Sequence, residues 1–417
     1  TGLLEYKNVY RPARVISYDK ESGELVLHNY MDFDDLKDYV KISYELTQDG
    51  LVISKDILSE FSVVPHGEGK TNLKISVPEN GKCYLKLIYH LKKELPLLDE
   101  GHILGFDEIE VSKDDAKCKL AEKWMQKTAV DSELQVNEND TQIHIKGREF
   151  AYTIDRRTAL FTEMKFAGRE YLNHPMELNI WRAPTDNDMY IKAEWKKAHY
   201  DKAYTRAYTT EVVQGKHGVK IVSHASVVAE TVQKILDVTI TWKIDASGKI
   251  DADIEATKDG EFPDLPRFGV RMFLDKKLAD IRYFGMGPQE SYRDKHQAAS
   301  HGLYRANVGD LHEDYIRPQE NGSHYDCEYV ELNNSRYGIV ASAEKAFSFN
   351  ASYYTQEELE KKTHNYELIE SDSVVFCVDY ALNGIGSNSC GPVVLEQYRF
   401  DDVLFRFQFT LVPYVKG

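Results

Sequence analysis

Apolar and polar positions alternate in short bursts from residue 13 to residue 111. Val15 and Ile16 open one burst, Ser22-Gly23 turns it, and Leu25-Val26-Leu27 returns. Val40, Ile42, Tyr44 and Leu46 then alternate with polar neighbours, and Asp49-Gly50 is a strong hairpin signal. Leu51, Ile53, Leu73, Ile75 and Val77 continue the pattern, and Cys83, Leu85, Leu87, Tyr89 and Leu91 alternate without a break. A period of two puts every second side chain on one face, so each burst predicts a half-buried strand. About seven such strands in roughly 100 residues predict an immunoglobulin-like β-sandwich over 1–111.

Residues 112–130 interrupt the pattern and predict a linker. Ser112-Lys113-Asp114-Asp115 is polar, and Leu120, Trp124 and Met125 are sparse apolar points with room for a helical turn. The second β region, 131–417, is larger. Ile143 and Ile145 alternate, then Phe150, Tyr152 and Ile154. Val238, Ile240, Trp242 and Ile244 lead through Asp245-Ala246-Ser247-Gly248 into Ile250, Ala252 and Ile254, which predicts a hairpin. Further strands are predicted at Phe268–Leu274, Tyr325–Leu332, Gly338–Ala343, Val374–Asp379 and Val403–Val412. Regular amphipathic helices between strands are absent, which excludes a parallel βα barrel and favours one large two-sheet sandwich. Short helices are expected over 191–203 and after Thr355, where Thr355 and Glu358 form a capping box.

A net charge of −16 argues against nucleic acid or an anionic membrane as partner. No apolar run approaches bilayer-spanning length. The first residues lack a basic-then-apolar leader and an initiator Met, so a processed or excised chain is expected. The five cysteines, Cys83, Cys118, Cys327, Cys377 and Cys390, are scattered and odd in number. That pattern fits reduced thiols in a cytoplasm.

Candidate chemistry gathers in four places. Asn179–Asp188 packs Trp181, Arg182, Pro184, Asp186, Asn187 and Asp188 into ten residues. It reads as a structural corner, with the planar fork of Arg182 clamping a carboxylate, or as a loop shown to a sugar or a partner domain. Glu290 and Glu320 each follow Pro-Gln, which invites a two-carboxylate glycosidase reading beside a plain loop reading. His296, His301, His312 and His324 lie close in sequence without the spacing of a helical metal pair. Asn383–Pro392 is a small-residue loop in which glycines let backbone approach closely, and Cys390 has no adjacent base.

These stretches carry a resemblance. Asn179–Asp188 resembles the WRAPxDND signature of the C-terminal region of lacZ-type glycoside hydrolase family 2 β-galactosidases. Tyr283–Asp294 resembles GxGPxExYxD, Tyr315–Gly322 resembles YxxPQENG, and Gly384–Pro392 resembles the late glycine loop. They fall in the family's order, and Gly2–Glu5 and Glu100–His102 match more weakly. The resemblance implies an immunoglobulin-like domain that follows a catalytic barrel, and then a galactose-mutarotase-like β-supersandwich. It implies that the acid/base and nucleophile glutamates lie on a barrel absent from this chain, so no catalytic residue is expected here. Magnesium and sodium sites, on or before the barrel in the family, imply no cofactor or metal site in this chain. The implied partners are the barrel, a galactoside substrate and other subunits of an oligomer, in a cytoplasmic setting. The late loop implies a pocket-rim role for Cys390, with Asn388 and Ser389 as neighbours, and Cys390 stands where many members carry a tryptophan. Trp181, Arg182, Asp186, Asn187 and Asp188 are implied to be structural. A stand-alone carbohydrate-binding protein and a mutarotase-like epimerase are the alternatives, tested by sugar titration and by polarimetry.

Overall fold

The computed structural model describes residues 2–126, 133–386 and 391–416. The chain forms two compact units. One comprises Thr1–Leu120 with Met286–Gln289 and His296–Tyr304. The other comprises Ala121–Gly285, Glu290–Lys295 and Arg305–Gly417.

The first unit has seven strands over Ala13–Glu110, in two antiparallel sheets. Ala13–Tyr18, Glu24–Asn29 and Glu68–Asn72 form a three-stranded sheet. Leu51–Ile57, Val40–Gln48, Cys83–Leu91 and Ile103–Glu110 form a four-stranded one, in that order. Most alternating positions read from the sequence point inward, and Leu25, Leu27, Leu46, Leu85, Leu87 and Tyr89 share one core; Leu51 and Ile53 do not, because the edge strand Leu51–Ile57 is exposed along its whole length. Asp49 and Gly50 both have positive φ, 49° and 79°, as a tight hairpin turn requires. Two elements escaped the hydrophobic pattern. Glu68–Asn72 is a polar strand held by its ladder to Glu24–His28. The helix Gly2–Val9 covers the sheet edge at Ile103–Glu110, where Asn8 Oδ1 accepts from the Phe106 amide at 2.7 Å and Arg11 pairs with Asp107 at 2.6 Å. Leu73 is buried beyond the strand end, so the alternation through Val77 marks an extended packed segment and not a laddered strand.

The second unit contains a twelve-stranded and a five-stranded sheet, all antiparallel. The main path of the large sheet runs Leu172–Asn179, Arg267–Asp275, Ser373–Leu382, Tyr337–Ser352, Leu404–Val415, Ile250–Lys258, Leu236–Asp245, Gly218–Val228 and Tyr204–Gln214. The predicted hairpin is there, with Ile240 opposite Ile254 and Trp242 opposite Ala252. The small sheet is built from Gln135–Glu138, Gln142–Lys146, Phe150–Asp155, Leu160–Phe166 and Arg169–Glu170. Trp242 joins the sheets. Its ring meets Phe161 edge-on at 5.0 Å, and its indole N–H donates to the Ala159 carbonyl at 2.8 Å. Trp242→Ala should therefore remove about 3–5 kcal/mol of stability, measured by urea unfolding, because both the packing and a buried donor are lost.

Ile191–Lys197 is a short helix followed by a 3₁₀ turn at Tyr200–Lys202, and Thr355 caps Gln356–Lys361 through the Glu358 amide. The expected 112–130 stretch contains the helix Lys119–Met125, and 127–130 lies outside the described residues. Tyr204–Gln214 and Gly218–Val228 were missed as strands; the first lies at a sheet edge and is largely exposed, so burial imposes no apolar alternation on it. Among the described residues no helix is long and apolar enough to cross a membrane. Among the described residues Cys83, Cys118, Cys327 and Cys377 are buried thiols that form no disulfide.

Candidate functional site

Residues of the four signature stretches that belong to the second unit hold one another in a closed circuit. Arg182 is fully buried at the end of the Leu172–Asn179 strand. Its guanidinium grips Asp188, with Nη2 donating to Oδ1 at 2.7 Å and Nε to Oδ2 at 3.2 Å. Asp188 also accepts from the Thr185 amide at 2.8 Å, which tightens the turn. Trp181 is buried against Trp195, and Trp195 in turn lies under the guanidinium of Arg182 at 5.2 Å. The remaining donors of Arg182 reach the carbonyls of Asn383 and Gly384, the latter at 3.1 Å. Asn187 adds a bond from its amide to the Ile385 carbonyl at 2.7 Å. Asp186 faces solvent, and its amide meets Gln319 at 3.2 Å.

Asp294 takes the same loop from another side. Its two oxygens accept the amides of Ile385 at 3.0 Å and Gly386 at 2.7 Å. A Cβ on Gly384 would come within 2.7 Å of Asp294 Oδ2, so only glycine admits this carboxylate. The segment 383–386 is thus strapped by Arg182 and Asn187 through its carbonyls and by Asp294 through its amides. It leads in sequence to Asn388, Ser389 and Cys390, which lie outside the described residues. A cleft of about 500 Å³ opens beside the strap, bordered by Asn187, Tyr190, Asn383, Val393 and Arg399.

The two glutamates close the circuit without forming an exposed pair. Glu290 is buried, and its oxygens are occupied by Lys295 at 2.5 Å, the Tyr315 hydroxyl at 2.7 Å and the Gly322 amide at 2.8 Å. Burial alone would raise its pKa. The Lys295 ammonium and these donors outweigh burial and hold the carboxyl below its usual range. Glu290 therefore contributes stability that is present above the ordinary carboxylate pKa and is lost as pH falls through the depressed folded value. Glu290→Gln should cost about 2–3 kcal/mol at pH 7, and its gap to wild type should narrow below about pH 4, read by urea titrations across pH.

Glu320 sits in a second buried charge cluster. Its amide donates to the Ala183 carbonyl at 3.0 Å, which ties 315–322 to 179–188. Its carboxyl lies 3.5 Å from Arg267, whose guanidinium is committed to Asp379 at 2.6 and 3.1 Å. Burial pushes the Glu320 carboxyl up, against the pull of Arg267 and Arg182. Arg267 and Asp379 escaped the sequence reading. Asp379 left a signal, as a lone charge inside the otherwise apolar run Val374–Leu382, and it has no exposure at all. The histidines do not assemble a site. His301 stacks on Tyr84 and bonds Glu108 at 2.7 Å, His312 lies beside Tyr354, and His324 packs against Tyr283 and Phe349. Among the described residues no group of three or more His, Cys, Asp or Glu side chains is placed to hold a metal ion.

The chain is thus an all-β protein whose signature motifs bind one another in a buried circuit. The chain belongs to the β-galactosidase small-chain family, whose profile matches residues 146–411, and residues 25–112 match β-galactosidase domain 4. It is 42% identical over 414 residues to a β-galactosidase of Actinobacillus pleuropneumoniae, covering 99% of this chain and 40% of that protein. It is 30% identical over 413 residues to a β-galactosidase of Staphylococcus xylosus, covering 98% of this chain and 40% of that protein. The chain thus spans about 40% of the length of these relatives. A solved galactose 1-epimerase from Lactobacillus acidophilus NCFM aligns with 70% of this chain and all of its own, at 9% identity and a TM-score of 0.38.

Proposed function

We propose that this chain is the C-terminal, non-catalytic part of a cytoplasmic glycoside hydrolase family 2 β-galactosidase. The whole enzyme hydrolyses terminal β-D-galactosides such as lactose with retention. Retaining hydrolysis needs two carboxyl groups about 5–5.5 Å apart on either side of the scissile bond, one of them free to act as acid and base. Glu290 is saturated with structural donors and Glu320 is fully buried beside Arg267, so neither is offered for that role. The catalytic pair and the magnesium and sodium sites belong on or before a barrel that lies outside these residues. The barrel is the chain's first partner, in an oligomeric enzyme.

The observation that carries this reading is the double strap on 383–386. Asp294 and Arg182 fix amides and carbonyls of consecutive residues, which holds the backbone of 383–386 in one conformation. Such fixing suits a loop that must meet a sugar at the rim of a pocket built elsewhere. With Cys390 in place of an aromatic ring, the rim lacks a stacking platform for the aglycone.

Mixing supplies the test. The chain is combined with the part of the Actinobacillus pleuropneumoniae relative that it does not match, and hydrolysis of nitrophenyl β-D-galactoside is followed. Turnover is expected in the mixture and in neither component. A mixture that associates and stays inactive toward galactosides contradicts the reading.

A further inference from the structure

The strand Tyr337–Ser352 is buried from Tyr337 to Ala351 except for a central run, where Glu344, Lys345 and Ala346 are exposed. The sheet forks there. Residues 337–342 pair with Leu404–Val415, and residues 348–352 pair with Ser373–Leu382. On its other side the ladder to Ser323–Asn333 jumps from Ser342 opposite Tyr329 to Phe347 opposite Cys327, so four residues bulge across from one. The facing strand carries Asp326 in the left-handed region at φ 54°, a conformation that costs energy for a residue with a Cβ.

A cavity of about 280 Å³ occupies this fork. Its floor and walls include the aromatic side chains Tyr292, Tyr325, Phe347, Tyr380 and Phe407. Its rim carries Arg293, Asp326, Glu344, Lys345 and Arg406. Arg293 is anchored on the Arg399 carbonyl at 2.7 Å, and Arg406 is matched by Asp253 at 2.7 Å and Glu255 at 3.5 Å. With Arg406 matched, the rim holds two cations and two carboxylates. Such a balance disfavours a phosphate, a nucleotide or an acidic peptide, each of which needs a net positive lining. It suits a neutral ligand whose hydroxyls both donate to carboxylates and accept from guanidinium and ammonium groups. The aromatic floor suits a ligand with one apolar face, and the volume suits one or two rings.

We propose that this cavity binds a neutral pyranoside. The proposal is independent of the galactosidase reading, because binding is measured on the chain alone and turnover on the mixture. The test titrates the 417-residue chain with methyl β-D-galactopyranoside and methyl β-D-glucopyranoside by saturation-transfer NMR and calorimetry. Phenol and glucose 1-phosphate report on apolar-only and charged ligands. At least one pyranoside should saturate with a dissociation constant on the order of 1 mM. Binding should weaken at least about tenfold in Tyr325→Ala and in the Glu344→Ala, Lys345→Ala double variant. The double variant changes exposed side chains and should keep the wild-type melting temperature. The proposal is overturned if neither pyranoside saturates, if the double variant binds unchanged, or if glucose 1-phosphate or phenol binds more tightly than both pyranosides.

Discussion

Arg267→Met should be the most damaging single change in the chain, costing about 3–5 kcal/mol or more at pH 7. The guanidinium has no exposure and serves two carboxylates that have almost none, Asp379 and Glu320. Methionine fills most of the space but leaves both carboxylates buried without a counter-charge, and removing one partner of a buried ion pair is far worse than replacing both. The sign of the pH dependence distinguishes this mechanism from lost packing. Burial already pushes Glu320 and Asp379 up in the presence of Arg267. Without it, their folded values rise further above the unfolded ones. A raised carboxyl favours the folded state increasingly as pH falls, so the variant should recover stability between about pH 7 and pH 5. Urea unfolding at several pH values measures this. A deficit that does not change with pH would mean that lost packing, and not charge, is responsible. Adding Glu320→Gln to Arg267→Met should recover part of the loss by removing one stranded charge.

Arg182→Met should cost about 3–5 kcal/mol by the same reasoning, with a local consequence that Arg267 does not share. Asp188 keeps its bond from the Thr185 amide but loses its cation. The carbonyls of Asn383 and Gly384 lose their donors at the same time. Hydrogen exchange at the Ile385 and Gly386 amides should therefore rise more than exchange in the Leu236–Lys258 hairpin. In the mixed enzyme, kcat/KM for galactosides should fall. Arg182→Lys should recover only part of the stability, because an ammonium cannot reach a carboxylate and two carbonyls with one planar fork. Unchanged exchange at 385–386 would show that Asp294 and Asn187 hold the strap without it.

Legibility in the sequence followed the physics of each element. The hairpin around Ile240 and Ile254 was readable because both strands bury one face and the turn residues are explicit. The polar strand Glu68–Asn72 was not, since its ladder uses backbone groups that every residue shares. The Tyr337–Ser352 strand was cut at Ala343 in the sequence reading, because Glu344 and Lys345 look like a strand end. In the fold they mark a fork in the middle of one. The Arg182 clamp on Asp188 could be anticipated, with six residues separating the partners. The Arg267 pair with Asp379 could not, since the partners are 112 positions apart and only the topology of the sheet joins them. The motif order pointed to the family. The contacts supply what the order could not, a reason for each motif to exist: every one of the four holds two of the others.

Under the proposed function this circuit is scaffolding for chemistry carried elsewhere. The most direct test is hydrolysis of nitrophenyl β-D-galactoside by the 417-residue chain alone. A rate indistinguishable from buffer is expected, unchanged in Glu290→Gln and Glu320→Gln. Saturable turnover that either substitution abolishes would contradict it.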